Sequence, residues 1–166
     1  MTKKPFYTID NFHCRKSVGY LVRRLHQLMV PQAEARFAAA EISFTQWVVL
    51  MGLREGLTLT CADIARHLGH DTGATTRLLD QMEERGLIVR NRDKDDRRVV
   101  NITLLPKGRA MTLTLAPHLV DFWNEMLDEF SSAETAALID LLTRLLTKIE
   151  SKTAPETTSA RAKPRS

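Results

Sequence analysis

The spacing of apolar residues changes from helical to alternating at Gly86, and this change limits the structures that the chain can adopt. Before it, "GATTRLLDQMEERG" carries apolar residues at helical spacing and ends in glycine, a frequent residue just past a helix C-terminus. After it, "LIVRNR" and "RVVNITLL" alternate and are rich in β-branched residues, with "DKDDR" between them. The sequence therefore predicts a helix followed directly by a two-stranded ribbon with a charged tip.

A further short helix is predicted just before this unit. It starts after Thr60, where "TCAD" fits a capping sequence, and it ends at Gly69. The tight turn "LGHDTG" then leads into the helix that ends at Gly86. Two helices joined by a short turn that contains glycine are typical of a helix-turn-helix.

Two helices are predicted on the N-terminal side of this pair. Residues 14–38 carry apolar residues at helical spacing, with arginines and a glutamine on the other side. The next helix begins at Ser43, where "SFTQ" fits a capping box with Gln46, and it stops near Gly56.

Two more helices are predicted after the ribbon. The first runs from Pro106 and carries apolar residues as far as Phe130, and Pro117 inside it predicts a kink. "SSAE" predicts a capping box at Ser131 and the start of the second helix. Apolar residues then follow at intervals of four, three and four: Leu138, Leu142, Leu145 and Ile149. This spacing is typical of a helix that packs on a partner helix.

Composition narrows the class of protein. The 166 residues suit one domain, or one domain with an appendage, and the net charge of +4 hints at an anionic partner. No apolar run approaches the ~20 residues of a membrane span, and the N-terminus does not resemble a secretory signal. The two cysteines are far apart, so we expect a cytoplasmic protein without a disulfide framework. Residues 151–166 are rich in Ser, Thr, Pro and charge, and they predict a disordered basic tail.

The stretch "DTGATTRLLDQMEERGLIVRNRDKDDRRVVNITLLPKGRA" resembles the MarR family of winged helix-turn-helix transcriptional regulators, as does "TQWVVLMGLREG" before it. The resemblance covers roughly residues 18–149. It implies a mainly α fold with a small β-wing, in which a winged helix-turn-helix lobe joins a helical dimerisation domain. We expect residues 42–105 to form the DNA-binding lobe and residues 1–41 and 106–150 to form the dimerisation domain. One departure from the family is Leu105, which replaces the threonine that usually caps the next helix.

The resemblance implies a homodimeric repressor that binds double-stranded DNA at a palindromic operator. The expected contacts from the second helix of the helix-turn-helix are its exposed N-terminal residues: Thr72, Gly73, Thr75, Thr76 and Arg77. Among them, only Arg77 is able to make a bidentate contact to guanine. Thr72 has an alternative role as the cap of the helix.

The tip of the ribbon mixes both signs of charge. An arginine fits phosphate and a narrow minor groove, and an aspartate two residues away can hold it in place before binding. We expect Asp96 to orient Arg98, which then enters the minor groove as the matching residues of the family do. Asp93 is expected to brace the turn through a bond to its own backbone. The expected phosphate contacts are Arg92, Lys94 and Arg97. The alternative is an ordinary solvated hairpin tip.

Members of the family hold ligands such as phenolic carboxylates between the dimer helices and the winged lobe. The resemblance therefore implies a small aromatic or phenolic effector in this chain. The residues that could line that crevice are His13, Ser17, Tyr20, Trp47 and Met51. Plain core packing is the alternative for Trp47 and Met51.

Other functions have less support in the residues. The sequence contains no Ser-His-Asp arrangement, Gly-rich phosphate loop or metal-ligand set, so neither an enzyme nor a cofactor is expected. His67 and His70 are separated by the helix-ending Gly69, and no cysteine or carboxylate completes a metal site with them. Cys14 leaves redox sensing open. A helical interaction module without affinity for DNA is the remaining alternative to a regulator.

Overall fold

A computed structural model describes residues 5–57, 60–93, 96 and 99–153. The helices and strands are α1 (Val18–Phe37), α2 (Phe44–Glu55), α3 (Cys61–Leu68), α4 (Thr72–Glu84), β1 (Ile88–Arg92), β2 (Val100–Leu104), α5 (Pro106–Met126) and α6 (Ser132–Thr153). Short 3₁₀ turns, Cys14–Lys16 and Ala38–Ala40, flank α1. The predicted fold class, mainly α with a small β-wing, is confirmed. By its contacts the chain divides into two compact units, one that ends at Phe122 and one that begins at Trp123. None of the helices in the described ranges is long and apolar enough to cross a membrane.

The first helix begins later than the sequence predicts. Its N-cap is Ser17, whose hydroxyl accepts a hydrogen bond from the Tyr20 amide at 3.3 Å. The predicted start at residue 14 is wrong, because that residue lies in the 3₁₀ turn and the backbone of Ser17 is extended. A serine hydroxyl that accepts from the amide three residues further along satisfies an N–H group that has no partner within the helix. Such a serine therefore marks where the helix can begin.

The two predicted capping sequences of the next helices are confirmed. At α2, Ser43 and Gln46 accept hydrogen bonds from each other's backbone amides. At α3, Thr60 and Asp63 do the same, and the bond from the Thr60 hydroxyl is the largest cause of the lowered pKa of the Asp63 carboxyl. Both helices end at a glycine with positive φ, 73° at Gly56 and 63° at Gly69. Left-handed backbone favours glycine, so these ends are encoded locally.

The predicted ribbon is present as an antiparallel pair. Its register runs from Ile88 opposite Leu104 to Arg92 opposite Val100. The alternation also agrees with the sequence, since Ile102 is buried and its neighbour Thr103 is exposed.

One core holds the first unit together. Its buried residues come from α1, α2, α3, α4, both strands and α5, and include Phe37, Leu50, Ile64, Leu79, Met82, Leu87, Ile88, Ile102 and Leu115. Leu79 and Met82 of α4 are completely buried. Cys61 is half-buried on α3, and burial raises the pKa of its thiol. The core therefore fixes which face of α4 is left for solvent.

The second unit is mostly α6. The predicted capping box is confirmed, because the Ser131 amide donates to the Glu134 carboxylate and the Glu134 amide donates to the Ser131 hydroxyl. Phe130 was expected inside the preceding helix, but α5 ends at Met126. That prediction is wrong because the chain turns between Leu127 and Phe130 to start the new cap. Helix α5 passes through Pro117, and the kink there stays a prediction.

The end of α6 also bears on the predicted tail. The helix continues to Thr153, so the first three residues of that predicted segment are helical. Residues 154–166, which make up the rest of the predicted basic tail, lie outside the described residues.

Candidate nucleic-acid interface

Asp71 starts the second helix of the helix-turn-helix. Its carboxylate accepts a hydrogen bond from the Ala74 amide at 2.8 Å, and this bond is the main cause of the lowered pKa of Asp71. Thr72 is therefore the first residue of α4 rather than its cap. The alternative role of Thr72 as the cap is wrong, since an aspartate one position earlier already accepts that amide.

The N-terminal turns of α4 present small residues and one arginine to solvent. Thr72, Gly73, Thr76 and Arg77 are exposed, as the sequence predicts. Thr75 was predicted to be exposed with them, and this is wrong because only 1% of its surface is accessible. Its hydroxyl donates to the Asp71 carbonyl at 3.0 Å. Thr75 stands four residues before Leu79, on the helix face that packs into the core.

Two carboxylates in the C-terminal half of the same helix, Asp80 and Glu83, form ion pairs with Arg90 of β1. Its guanidinium contacts Asp80 at 2.6 Å and Glu83 at 2.7 Å, and the Arg90 amide also donates to Glu83 at 2.8 Å. Bonds from Arg90 lower the pKa of the Glu83 carboxyl, and the side-chain bond to Glu83 raises the pKa of Arg90. These contacts of Arg90 with Asp80 and Glu83, which we call the Arg90 clamp, bind the wing to α4.

The clamp also shapes the charge of this surface. Two carboxylates on a helix that faces a polyanion would repel it, because like charges at short range are unfavourable. Arg90 offsets one of the two negative charges of Asp80 and Glu83, and on the N-terminal turns of α4 the cation of Arg77 accompanies the capping Asp71. The arrangement fits an anionic partner at the N-terminal end of α4.

Sequence reasoning missed Arg90, although a signal was present. Asp80 and Glu83 are three residues apart and therefore share a helix face. A basic residue early in the next strand was a candidate partner. What the sequence did not show is that the turn at Gly86 brings β1 back along α4.

The wing tip is described in part. The Asp93 carboxylate accepts from the Asp96 amide at 3.2 Å and from the Asn101 side chain at 3.0 Å. The expectation that Asp93 braces the turn is confirmed by these bonds. Arg92 is exposed at the end of β1. The predicted contacts Lys94, Arg97 and Arg98 lie outside the described residues, so the expected pairing of Asp96 with Arg98 stays a prediction.

An apolar cleft of about 300 Å³ lies between α3, α4 and β2. It is lined by Thr60, Cys61, Ala62, Ala65, Thr72, Thr75, Thr76, Val99 and Val100. The side chains that line it are small. The cleft extends from Thr72 and Thr76 of α4 to Val99 and Val100 of the wing, so α3, α4 and β2 share one continuous surface.

The five predicted ligand residues fall into two groups in a single chain. Ser17 and Tyr20 are at the N-terminal end of α1, and His13 is just before it. Trp47 packs on Phe37, at the other end of α1, with ring centroids 5.8 Å apart. Tyr20 and Phe37 are seventeen positions apart in α1 and therefore about 25 Å apart along the helix, since each residue adds ~1.5 Å. One pocket within one chain therefore does not join the two groups.

Each group has a chemical feature of its own. Tyr20 borders a cleft of about 410 Å³ with Arg15, Arg23, Arg24 and Gln27. Trp47 and Met51 are half-buried on α2, and the buried Trp47 indole N–H has no acceptor among the described residues. Core packing, the alternative given for Trp47, is present in its stack with Phe44.

The helix pair α3–α4 followed by the ribbon, with small polar residues and an arginine exposed at the start of α4, defines a winged helix-turn-helix protein. Residues 42–100 match the model of the MarR family. This part of the chain is therefore a domain of the MarR family of winged helix-turn-helix transcriptional regulators, whose members are not enzymes.

Named relatives extend the match beyond the lobe. The regulator SarZ of Staphylococcus aureus (strain MRSA252) is 27% identical over 140 residues, which is 84% of this chain and 93% of SarZ. The structure of BpsR from Bordetella bronchiseptica, whose DNA binding is regulated by 6-hydroxynicotinic acid, is 26% identical with a TM-score of 0.69 and covers 81% of this chain and 96% of its own. A mutant of MarR from E. coli complexed with operator DNA is 25% identical with a TM-score of 0.68, over 78% of this chain and 93% of that one.

Proposed function

We propose that this chain is a dimeric, sequence-specific DNA-binding repressor of the cytoplasm whose affinity for its operator is changed by a small ligand. One observation carries the proposal: α4 exposes Thr72, Gly73, Thr76 and Arg77, while Asp80 and Glu83 farther along the same helix are paired with Arg90. A helix N-terminus with small residues allows close approach of phosphates and base edges. MarR, a structural neighbour, was solved with operator DNA.

Each exposed residue has a proposed role. Arg77 reads a guanine, because its guanidinium can donate two hydrogen bonds to one base edge. Thr72, Gly73 and Thr76 let DNA approach this turn closely because their side chains are small. The Thr76 hydroxyl donates to the Thr72 carbonyl and keeps its lone pairs to accept from a base amino group or from water. Arg92 at the end of β1 contacts phosphate. Residues 42–105 would form this lobe, and residues 1–41 and 106–150 would join two copies.

The dimer is supported by the surface of α6. None of its residues is buried in the single chain, and Leu138, Leu142, Leu145 and Ile149 are 37–52% exposed. At ~100° per residue these four side chains lie within about 60° of one another around the helix. A contiguous stripe of large apolar side chains is unfavourable in water, and a second copy of the chain would cover it.

The test is selection of binding sites from random duplex DNA, followed by titration of the selected site. We expect an imperfect palindrome with half-sites about 10 bp apart, as a two-fold dimer of this class requires. Arg77→Ala should cost ~1–3 kcal/mol and relax specificity at one base pair, whereas Arg92→Ala should weaken all duplexes alike and lower the salt slope by about 1. A protein that selects no site and shows no salt-dependent binding would disprove the function and favour the interaction module.

The arginine cleft supports an effector that is an aromatic carboxylate. Three arginines and a tyrosine border one concave surface, Arg15, Arg23, Arg24 and Tyr20, and guanidinium groups bind carboxylates with two parallel hydrogen bonds. Salicylate and 6-hydroxynicotinic acid are suitable probes. We expect either to weaken operator binding by the native chain and to have less effect on a variant with Arg23→Ala and Arg24→Ala. Equal effects on both proteins would exclude this cleft.

A further inference from the structure

The turn after α4 is bonded to both segments through which the chain enters and leaves the proposed DNA-binding lobe. The chain enters at Ala40 and Glu41 and leaves at Leu105–Lys107. The turn itself consists of Arg85, Gly86 and Leu87, between α4 and β1. The sequence does not show that the turn contacts the entry segment, because the two are more than forty residues apart.

The entry segment is held by the Arg85 side chain. Its guanidinium donates to the carbonyl oxygen of Glu41 and, at 3.1 Å, to that of Ala40. Glu41 has φ 51° and ψ 35°, and it is the one non-glycine residue with positive φ in the described part of the chain. Side-chain-bearing residues rarely adopt this left-handed conformation, so it persists only where the surroundings hold it. The planar fork of an arginine suits two neighbouring carbonyls.

The exit segment is held by the backbone of the same turn. The Lys107 ammonium donates to the Arg85 carbonyl at 2.7 Å, and the Leu105 amide donates to the Leu87 carbonyl at 3.0 Å. A Cβ atom at Gly108 would lie 2.2 Å from the Leu87 carbonyl oxygen. The first turn of α5 therefore packs directly on this turn, with no space for a side chain between them.

The same turn is also hydrogen-bonded to the last residues of α4. The Arg85 amide donates to Gln81 at 3.2 Å, the Gly86 amide to Glu83 at 2.8 Å and the Leu87 amide to Met82 at 3.0 Å. A shift of the entry or exit segment that breaks none of these bonds must therefore move the C-terminal end of α4 as well. Besides the packing of the core, a hydrogen-bonded link from α1 and α5 to the DNA-facing helix therefore passes through Arg85.

We propose that Arg85 is a positioning residue, which fixes the direction in which α4 is presented by α1 and α5 without touching DNA. The inference rests on the proposed function. In a two-fold dimer, the direction of α4 sets the distance and angle between the two copies of α4, and so it sets the half-site spacing that both can bind at once. Contacts within one half-site depend on the exposed residues of α4 instead.

The test compares Arg85→Gln with Arg85→Lys and with Arg109→Gln, which removes an exposed arginine near the start of α5. Each protein is titrated with the selected palindrome, with the same half-sites moved one base pair closer or farther, and with a single half-site. Arg85→Gln should lose about tenfold on the palindrome, the usual effect of losing a charge-assisted hydrogen bond, yet stay within about twofold on the single half-site. Its preference for the selected spacing should flatten. Arg85→Lys should lie between, since an ammonium can still donate to one carbonyl, and Arg109→Gln should match the native chain.

Two outcomes would overturn the proposal: an Arg85→Gln protein that keeps the spacing preference, or one whose affinities for the half-site and for the palindrome fall equally.

Amide hydrogen exchange gives a readout without DNA. The Glu41 amide, which donates to the Ala38 carbonyl at 3.1 Å, should exchange faster in folded Arg85→Gln, and unchanged exchange would also refute the role of Arg85. If Arg85→Gln does not fold, Lys107→Met tests the exit bond by the same titrations, and retained spacing preference there counts against the proposal. If the native chain binds no duplex, the proposed function fails, while the exchange experiment still decides whether Arg85 holds the entry segment.

Discussion

Replacing Arg90 with methionine should destabilise the first unit by about 2 kcal/mol, although the apolar volume is largely kept. The substitution removes the bonds of the guanidinium to Glu83 and Asp80, at 2.7 and 2.6 Å. Bonds to charged groups contribute roughly 1.5–3 kcal/mol when partly buried, and exposed pairs roughly 0.2–1 kcal/mol. Glu83 is 32% exposed and Asp80 is 44% exposed, so the first pair contributes most and the second is discounted for solvent screening. The bond from the Arg90 amide to Glu83 survives the substitution, which keeps the loss below the full value.

The assay is urea unfolding at one fixed protein concentration, because a dimer's apparent stability depends on concentration. Arg66→Met is the matched control: its guanidinium contacts Asp63 at 3.0 Å but is 72% exposed, so we expect a loss below ~0.5 kcal/mol. The pKa of Glu83 is lowered in the folded chain, so its contribution is present above the unfolded pKa of about 4.3 and is lost as the pH falls through the folded value. The effect of Arg90→Met should therefore shrink between about pH 6 and pH 3. A loss no larger than that of Arg66→Met at neutral pH would show that the clamp contributes no stability.

Substitutions at three other places test separate parts of the fold. Gly108→Ala should cost at least ~1–3 kcal/mol in urea unfolding, because its Cβ would lie 2.2 Å from the Leu87 carbonyl oxygen; an unchanged midpoint would show that α5 can move away. Asp71→Ala should lower helicity and affinity for DNA, while Asp71→Ser should keep both, as measured by circular dichroism and titration; equal losses would mean that Asp71 acts other than as a cap. Leu142→Asp combined with Leu145→Asp should give monomeric or unfolded protein in sedimentation, and a folded dimer would place the interface elsewhere.

Much of this fold is determined by residues close to one another in sequence. The capping boxes at Ser43, Thr60 and Ser131 each pair residues three apart, so they form wherever the local chain is helical. The glycines that end α2 and α3 act through their own φ angles. The same locality explains why the ribbon and its register follow from alternation and from a short charged tip.

Which faces of these elements are exposed was decided by packing. Thr75 and Thr76 are neighbours of the same residue type, yet Thr75 is buried and Thr76 is exposed, because the core that α4 forms with the other helices and strands of the first unit fixes its rotation. The pairing of Arg90 with Asp80 depends on the direction in which the chain leaves Gly86. The bonds from Arg85 to Glu41 and Ala40 join segments 44 and 45 residues apart.

The physical reason for this division is the range of the interactions. A cap, a left-handed glycine or an alternating strand lowers the free energy of its own segment whatever lies elsewhere, so the sequence alone determines it. A charge that must find its partner across the molecule contributes only after loops are closed and a core excludes water, and many pairings are compatible with the same composition. The sequence by itself therefore determined the elements and their order, whereas the tertiary structure decided which arginines face solvent at α4 and which hold α4 in place.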